Sequence, residues 1–232
     1  MGRKRAISWR TRIVALLALV LAGAGGWLWW QGRHWTPPRS EYPQQGVLVG
    51  ARDGEANFEA LGAIGAAFVY LEASEGASAR DTAFAANLRR VRKAGLPFGV
   101  VHAYDPCVAA ERQSANFLTI VPRDATLLPP AVALDRLAAD CGDPIAEVAV
   151  ESELTAFLNQ VEGHVGKPAV LKISPAFEER YHLAARIERN LWLERDWLEP
   201  TYAGRPWTLW TANSNLRTAA SDAPLRWVVL RP

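Results

Sequence analysis

The sequence predicts an α/β domain in which eight strands close into a barrel, five of them followed by helices and three not. Three observations predict it. First, Ala67-Phe68-Val69-Tyr70-Leu71 is an apolar run without alternation, the pattern of a strand buried on both faces of a parallel sheet. Second, runs of this kind alternate with helical segments from Gly46 to about Ala185, which implies parallel strands joined by helical crossovers. Third, three more apolar runs follow with no helical pattern between them. A chain of 232 residues, half of them hydrophobic, supplies the core that one such domain and an extra segment require.

Taken in order, Gly46-Val47-Leu48-Val49 is the first strand and Phe58 to Ile64 a short helix. Ala67–Leu71 is the second strand, breaking into Glu72-Ala73-Ser74-Glu75-Gly76, which reads as a polar turn carrying two carboxylates. In parallel α/β folds the loops after strand C-termini hold the chemistry. Asp81 is placed to cap a helix whose buried face is Phe84, Leu88 and Val91, stopped by Gly95. Phe98–Val101 is the third strand, ending at His102, and Ala109 to Leu118 is helical. Ala131–Leu134 is the fourth strand, ending at Asp135. Ser152 opens a helix through Leu154, Phe157, Leu158 and Val161, without the acid or amide at Thr155 that would complete a capping box. Ala169–Ile173 is the fifth strand, followed by Pro175 and a helix to about Ala185. Leu191–Leu193, Trp207–Trp210 and Trp227–Leu230 are the helix-free strands.

The domain, residues 46–232, is preceded by three distinct segments. Residues 1–12 carry Arg3, Lys4, Arg5, Arg10 and Arg12 and no acid. Residues 13–30 carry no charge and end in Trp27-Leu28-Trp29-Trp30. About 18 apolar residues span a bilayer core, the basic flank places the N-terminus in the cytoplasm, and the tryptophans suit the far interface. This is a transmembrane helix, with a signal peptide cleaved after Ala22-Gly23-Ala24 as the alternative. Either way the domain is exported; the first makes the protein a single-pass inner-membrane protein facing the periplasmic side. Residues 31–45, with Pro37, Pro38 and Pro43, read as an extended linker. The formal charge of +2 resides in the first twelve residues; the rest has 21 basic against 24 acidic residues, so nothing points to nucleic acid.

The motifs of residues 46–232 resemble the family 25 glycoside hydrolases, lysozymes that cut peptidoglycan at muramic acid. The resemblance is carried by Phe68-Val69-Tyr70-Leu71-Glu72-Ala73-Ser74-Glu75-Gly76, then Asp81, Phe84 and Asn87, then Ala94-Gly95-Leu96, Gly99 and His102. It continues through Gln113, Ala115 and Phe117, Leu128-Pro129-Pro130, Phe157-Leu158, Val161-Glu162, Gly166-Lys167-Pro168 and Trp210. It implies a modified (β/α) barrel of TIM type, five βα units plus three further strands, with peptidoglycan or a related glycan as partner and no cofactor. The departures fall on the acids. Leu48 stands at the family's first-strand Asp. The family's Asp-x-Glu pair falls on Ala131-Val132-Ala133-Leu134-Asp135-Arg136-Leu137. Without a gap, Ala133 replaces the Asp and Asp135 the catalytic Glu; with a two-residue insertion, Asp135 is the Asp and Leu137 replaces the Glu. The family's Asp near the end is also missing, since Ala223 to Val229 offers only Arg226 and hydrophobic residues.

Glycoside hydrolysis uses two carboxyl groups, one held protonated by its surroundings. Glu72, Glu75, Asp105, Asp135, Glu194 and Asp196 lie at or after strand ends. Asp135 with Glu75 is the rewired catalytic pair these permit; the plainer readings are a loop or cap carboxylate for Asp135 and a loop-holding acceptor for Glu75. Glu72, where the family usually has Lys, faces solvent or pairs with Arg80. His102 orients a substrate or is a satisfied rim histidine. Tyr104 and Trp210 are the aromatic candidates for a sugar face, and Trp192, Trp197, Trp207, Trp227 and Tyr202 read mainly as core. His182 with Glu178 or Glu179, and His102 with Asp105, lack further ligands, so no metal site is expected. Cys107 and Cys141, on loops after adjacent strands of an exported domain, are expected to form a disulfide. Three functions remain: a lysozyme-like glycan binder with impaired or lost hydrolysis, an active muramidase with rewired carboxylates, and a structural partner in the envelope without glycan contact.

Overall fold

The structure is a computed structural model that describes residues 9–143 and 145–232. Arg3, Lys4 and Arg5 of the basic flank lie outside the described residues. Eight strands close into a barrel: β1 (Gln45–Val49), β2 (Phe68–Glu75), β4 (Phe98–Ala103), β5 (Ala131–Leu134), β6 (Val170–Ile173), β7 (Asn190–Glu194), β8 (Leu209–Leu216) and β9 (Leu225–Leu230). All neighbours pair in parallel except β9, which is antiparallel to both β8 and β1; β1 pairs with β2 to shut the ring. A two-residue strand, β3 (Ala79–Arg80), folds back on β2.

Five helices pack outside the first five barrel strands: α2 (Phe58–Ala63), α3 (Phe84–Ala94), α4 (Ala110–Ile120), α5 (Glu147–Val165) and α6 (Pro175–Tyr181). The parity of each strand sorts its side chains. Val47, Val69, Leu71, Val100 and Leu171 point outward into the core beneath the helices. Leu48, Tyr70, Val101, Ala133 and Trp192 fill the barrel. Inside, the Tyr70 ring meets Trp192 edge-on at 4.9 Å between centroids, and Trp192 Nε1 donates to Thr211 Oγ1 at 2.8 Å.

Several boundaries differ from the sequence reading. β2 runs on through Glu72 to Glu75 rather than turning at Glu72, because β3 pairs with Ser74 and Glu75 and extends the ladder. The turn comes at Gly76, whose φ of 48° suits glycine. The N-cap of α3 is Ala83, not Asp81; Asp81 Oδ1 accepts the Ala83 N–H one step upstream, and Oδ2 accepts the Ala51 N–H. α5 starts at Glu147, five residues before Ser152; the added turn buries Val150 and carries surface ion pairs of Glu147 with Arg180 and Glu151 with Arg186.

The apolar helix α1 (Trp9–His34) is longer than the uncharged stretch, and a 23-residue segment of it, Arg12–His34, is long and apolar enough to cross a membrane. Residues 31–45, read as an extended linker, begin as its last turn and then strap the wall formed by β7, β8 and β9, where no helices pack. Trp35 and Tyr42 lie 6.5 and 5.8 Å from Trp210 between centroids. Gln45, fully buried, accepts from Trp227 Nε1 at 2.7 Å and donates to the carbonyls of Pro37 and Tyr42. The strap stands in for the missing helices, and Trp207, Trp210 and Trp227 form its bed.

Candidate active site

A cleft of about 520 Å³ opens at the C-terminal ends of the barrel strands, lined among others by Leu48, Arg52, Glu72, Glu75, Ala133, Asp135 and Lys172. Leu48 is fully enclosed at the end of β1 and pairs across the sheet with Arg226 on β9. Leu48, at the position of the family's first-strand Asp, thus lies beside the one cation of the segment where the family's last Asp is missing. Ala133 and Asp135 both face the cleft, whereas Leu137 packs against the outer core. Of the two registers, only the ungapped one puts both positions of the pair, 133 and 135, on the cleft.

Charge inside this mouth is arranged in two groups. Arg226 is 5% exposed; one guanidinium nitrogen donates to Glu72 Oε1 and the other to Asp53 Oδ2, with Asp53 4% exposed. Asp53 also accepts the Gly50 N–H at 2.6 Å. A Cβ on Gly50 would overlap the Glu72 carboxylate, so glycine is what lets β1 pass this close. Burial draws the Glu72 carboxyl upward, but the bound Arg226, with Arg52 and Lys172 near, holds it below its ordinary range. Glu72 therefore neither faces open solvent nor pairs with Arg80; its cations are Arg226 and Arg52. In the second group, buried Lys172 sits 2.8 Å from Glu194 and 3.9 Å from Asp135. Asp135 stands at the cleft mouth with half its side chain exposed to cleft water; enclosure by the cleft walls raises its pKa, Lys172 opposes, and Glu194 adds to the rise.

The other candidates divide. A register shift between Glu72 and Ser74 brings Glu75 as well as Glu72 onto the cleft, where Glu75 is exposed at the rim and its backbone carbonyl accepts from Asn116 Nδ2. Tyr104 lines the wall with its ring against Phe157, 5.7 Å between centroids; its hydroxyl is buried without a partner, and burial raises its pKa. His102 does not reach the cleft. It points outward from β4 and is fully enclosed between Ser74 Oγ at 2.8 Å, Gln113 Oε1 at 3.4 Å and the ring of Phe157. Trp210 does not reach it either: it is buried under the strap, donating to the Arg195 carbonyl. Asp105 pairs with Arg136 at 2.7 Å, and Asp196 holds the Ser214 N–H and hydroxyl; neither lines the cleft. Cys107 and Cys141 are bonded, Cα atoms 5.4 Å apart. They tie the loops after β4 and β5 from behind rather than across the opening, since neither lines it. Among the described residues no three His, Cys, Asp or Glu side chains group as a metal site.

The decisive residues are Lys172 and Asp53, absent from the sequence reading, and Arg226, which it named only as what stands where an acid is missing. Lys172 and Arg226 are lone cations at inward parity in otherwise apolar strands, Val-Leu-Lys-Ile and Leu-Arg-Trp-Val-Val-Leu, and that parity was the available signal.

Two consequences are measurable. Removing Arg226 strands two enclosed carboxylates, so Arg226→Met is expected to destabilise by about 3–5 kcal/mol, and adding Asp53→Asn with Glu72→Gln to recover most of the loss in denaturant midpoints. For His102, burial lowers the pKa from 6.5 to about 4, opposed by the Gln113 hydrogen bond. Between those values the unfolded chain binds the proton and the folded one does not. Stability is therefore full above pH 6.5 and is expected to fall by about 3 kcal/mol as pH drops through 4. His102→Gln should flatten that limb in a pH series of thermal midpoints.

Comparison with known proteins agrees with this architecture. The sequence model described as glycosyl hydrolases family 25 matches residues 49–219. A family 25 glycosyl hydrolase from Bacillus anthracis superposes with a TM-score of 0.76 at 23% identity, covering 85% of this chain and 92% of its own. The bacterial lysozyme from Streptomyces coelicolor gives 0.70 at 18% identity, covering 82% and 92%. A family GH25 lysozyme from Aspergillus fumigatus gives 0.67 at 18%, covering 82% and 94%. No curated protein sequence matches the chain. The likenesses of structure carry the fold and the sequence model carries the family, and on the latter the chain belongs to glycosyl hydrolases family 25.

Proposed function

We propose that this protein is a membrane-anchored, exported lysozyme-like domain that binds peptidoglycan glycan in the barrel cleft and hydrolyses it poorly or not at all. The observation that carries the reading is that Glu72 and Asp135, which line the cleft, are engaged by cations, while Glu75 stands exposed at the rim. Glu72 and Asp53 neutralise Arg226, and Glu194 and Asp135 share Lys172. Leu48 and Ala133 occupy positions where family resemblance places acids. A general acid must hold a proton near neutral pH, and a carboxylate paired with a cation is driven the other way. An Asp in place of a Glu also sets its carboxyl one methylene back, and a misplacement of about 1 Å can cost on the order of a hundredfold in rate.

A second reading has one observation in its favour: the raised pKa of Asp135, which suits a general acid. That reading is an active muramidase working from Asp135 with a second acid such as Glu75, and it differs from the first only in whether the glycosidic bond breaks.

Cleft binding is tested by co-sedimenting the full chain in detergent with purified peptidoglycan. Ala103→Trp, which fills the wall of the cleft, is expected to weaken binding about tenfold or more, equivalent to about 1.4 kcal/mol. Unchanged binding with an unchanged thermal midpoint would move the ligand elsewhere.

The anchor reading rests on α1 running unbroken through Ala22-Gly23-Ala24 and on its last turn being bonded to the barrel. Mass spectrometry of protein isolated from membranes is expected to find residues 13–30 retained; a mature N-terminus at Gly25 overturns this.

A further inference from the structure

Outside α1, five large apolar side chains among the described residues are more than a third exposed, and only Trp197 and Leu198 are adjacent, at 55% and 57%. They sit on the loop after β7, at the same end of the barrel as the cleft mouth. The loop is built to hold them outward. Trp197 has φ of 66°, a left-handed conformation costly for a bulky residue and kept only where the surroundings impose it. Here they do: the Trp197 N–H donates to the Ala212 carbonyl at 2.8 Å, and Asp196 is fixed to Ser214.

The same loop touches the end of α1. Trp197 Nε1 donates to the Gly32 carbonyl at 3.2 Å. Asn213 Nδ2 donates to the carbonyls of Gly32 and Trp35, both at 2.8 Å, and the Arg217 N–H donates to Arg33 O at 2.7 Å. A Cβ on Gly32 would come within 3.1 Å of the Trp197 ring. The helix is clamped with no slack between it and the barrel, and its apolar residues before the clamp are exposed, so it projects away from the domain. Trp27, Trp29 and Trp30 are exposed on the last turns of α1, just before the Gly32 that Trp197 holds. Aromatic side chains of this kind settle at the headgroup level of a bilayer.

We propose that the Trp197–Leu198 loop is a second membrane contact that dips into the lipid interface beside α1 and, with the clamp, holds the cleft end of the barrel at the bilayer surface. The partner is the lipid interface itself, and the glycan within reach is the membrane-proximal strand rather than the distant wall. This rests on the anchor reading of α1.

The test uses the full chain carrying an environment-sensitive fluorophore at Leu198→Cys, in vesicles of phosphatidylethanolamine and phosphatidylglycerol brominated near the headgroup. A label at Glu188→Cys, exposed at the opposite end of the barrel, is the reference. Flotation with the vesicles reports the anchor separately. Severalfold stronger quenching at 198 than at 188 is expected, falling in Asn213→Ala while flotation is unchanged. Floating protein with equal quenching at both positions overturns the proposal; floating protein whose quenching at 198 survives Asn213→Ala overturns the role of the clamp. Loss of flotation overturns the anchor reading and, with it, this inference.

Discussion

The constraint on which the cleft depends is the presence of two cations inside the barrel mouth. Lys172 and Arg226 are almost wholly enclosed, and an enclosed cation without a partner is far costlier than any packing gain at that site. Each must be met by carboxylates, and the structure meets each with two. Asp53 and Glu72 come from loops and strands flanking β1, and Glu194 and Asp135 from either side of β6. The acids at the heart of the cleft are therefore counter-ions first. This accounts together for the Leu at 48 beside Arg226, the close pass of Gly50 over Glu72, and the depressed Glu72 carboxyl. A catalytic pair needs its acids pushed apart in pKa by their surroundings; here the Glu72 carboxyl, held low, is taken up by Arg226, and the Asp135 carboxyl, raised by enclosure, faces Lys172.

The second organising feature is the strap. Strands β7 to β9 lack helices, and their outer tryptophans would otherwise face water. Residues 35–45 cover them, using Trp35, Tyr42 and the buried amide of Gln45. Because the strap is continuous with α1, the same residues that complete the barrel's outer core also fix where the helix leaves it. Core packing and the exit direction of α1 are one problem in this protein.

Much of the fold was legible in the sequence. The five apolar strand runs before Ala185, the helix-free strands after it, and the helix stop at Gly95 follow from periodicity and glycine chemistry, although the strand expected at Trp207–Trp210 begins at Leu209 and runs on to Leu216. What was not legible depends on partners far apart in sequence. The early turn of α5 buries Val150 against the rest of the domain, and the extension of β2 is set by its pairing with β3. The strap reads as linker because its prolines are local, whereas its tryptophan bed lies some 170 residues away along the chain. At the site, family resemblance located the missing acids at Leu48 and Ala133. For His102 and Trp210 the sequence left a substrate role open beside a satisfied histidine and a core tryptophan, and both are enclosed away from the cleft, since a motif match says nothing about which face of a strand a residue takes. Lys172 and Arg226 carried a parity signal, but their carboxylate partners lie on other strands and loops.

The central claim is that Glu72 and Asp135, which line the cleft, serve Arg226 and Lys172 as counter-ions and leave a bound glycan intact. Release of new reducing ends from purified peptidoglycan by the full chain, followed across acid to neutral pH beside Asp135→Ala, tests it most directly. The account predicts saturable binding with glycan strands recovered at their starting length and no difference between the two proteins. Shortened strands produced by the native chain and absent with Asp135→Ala would contradict it.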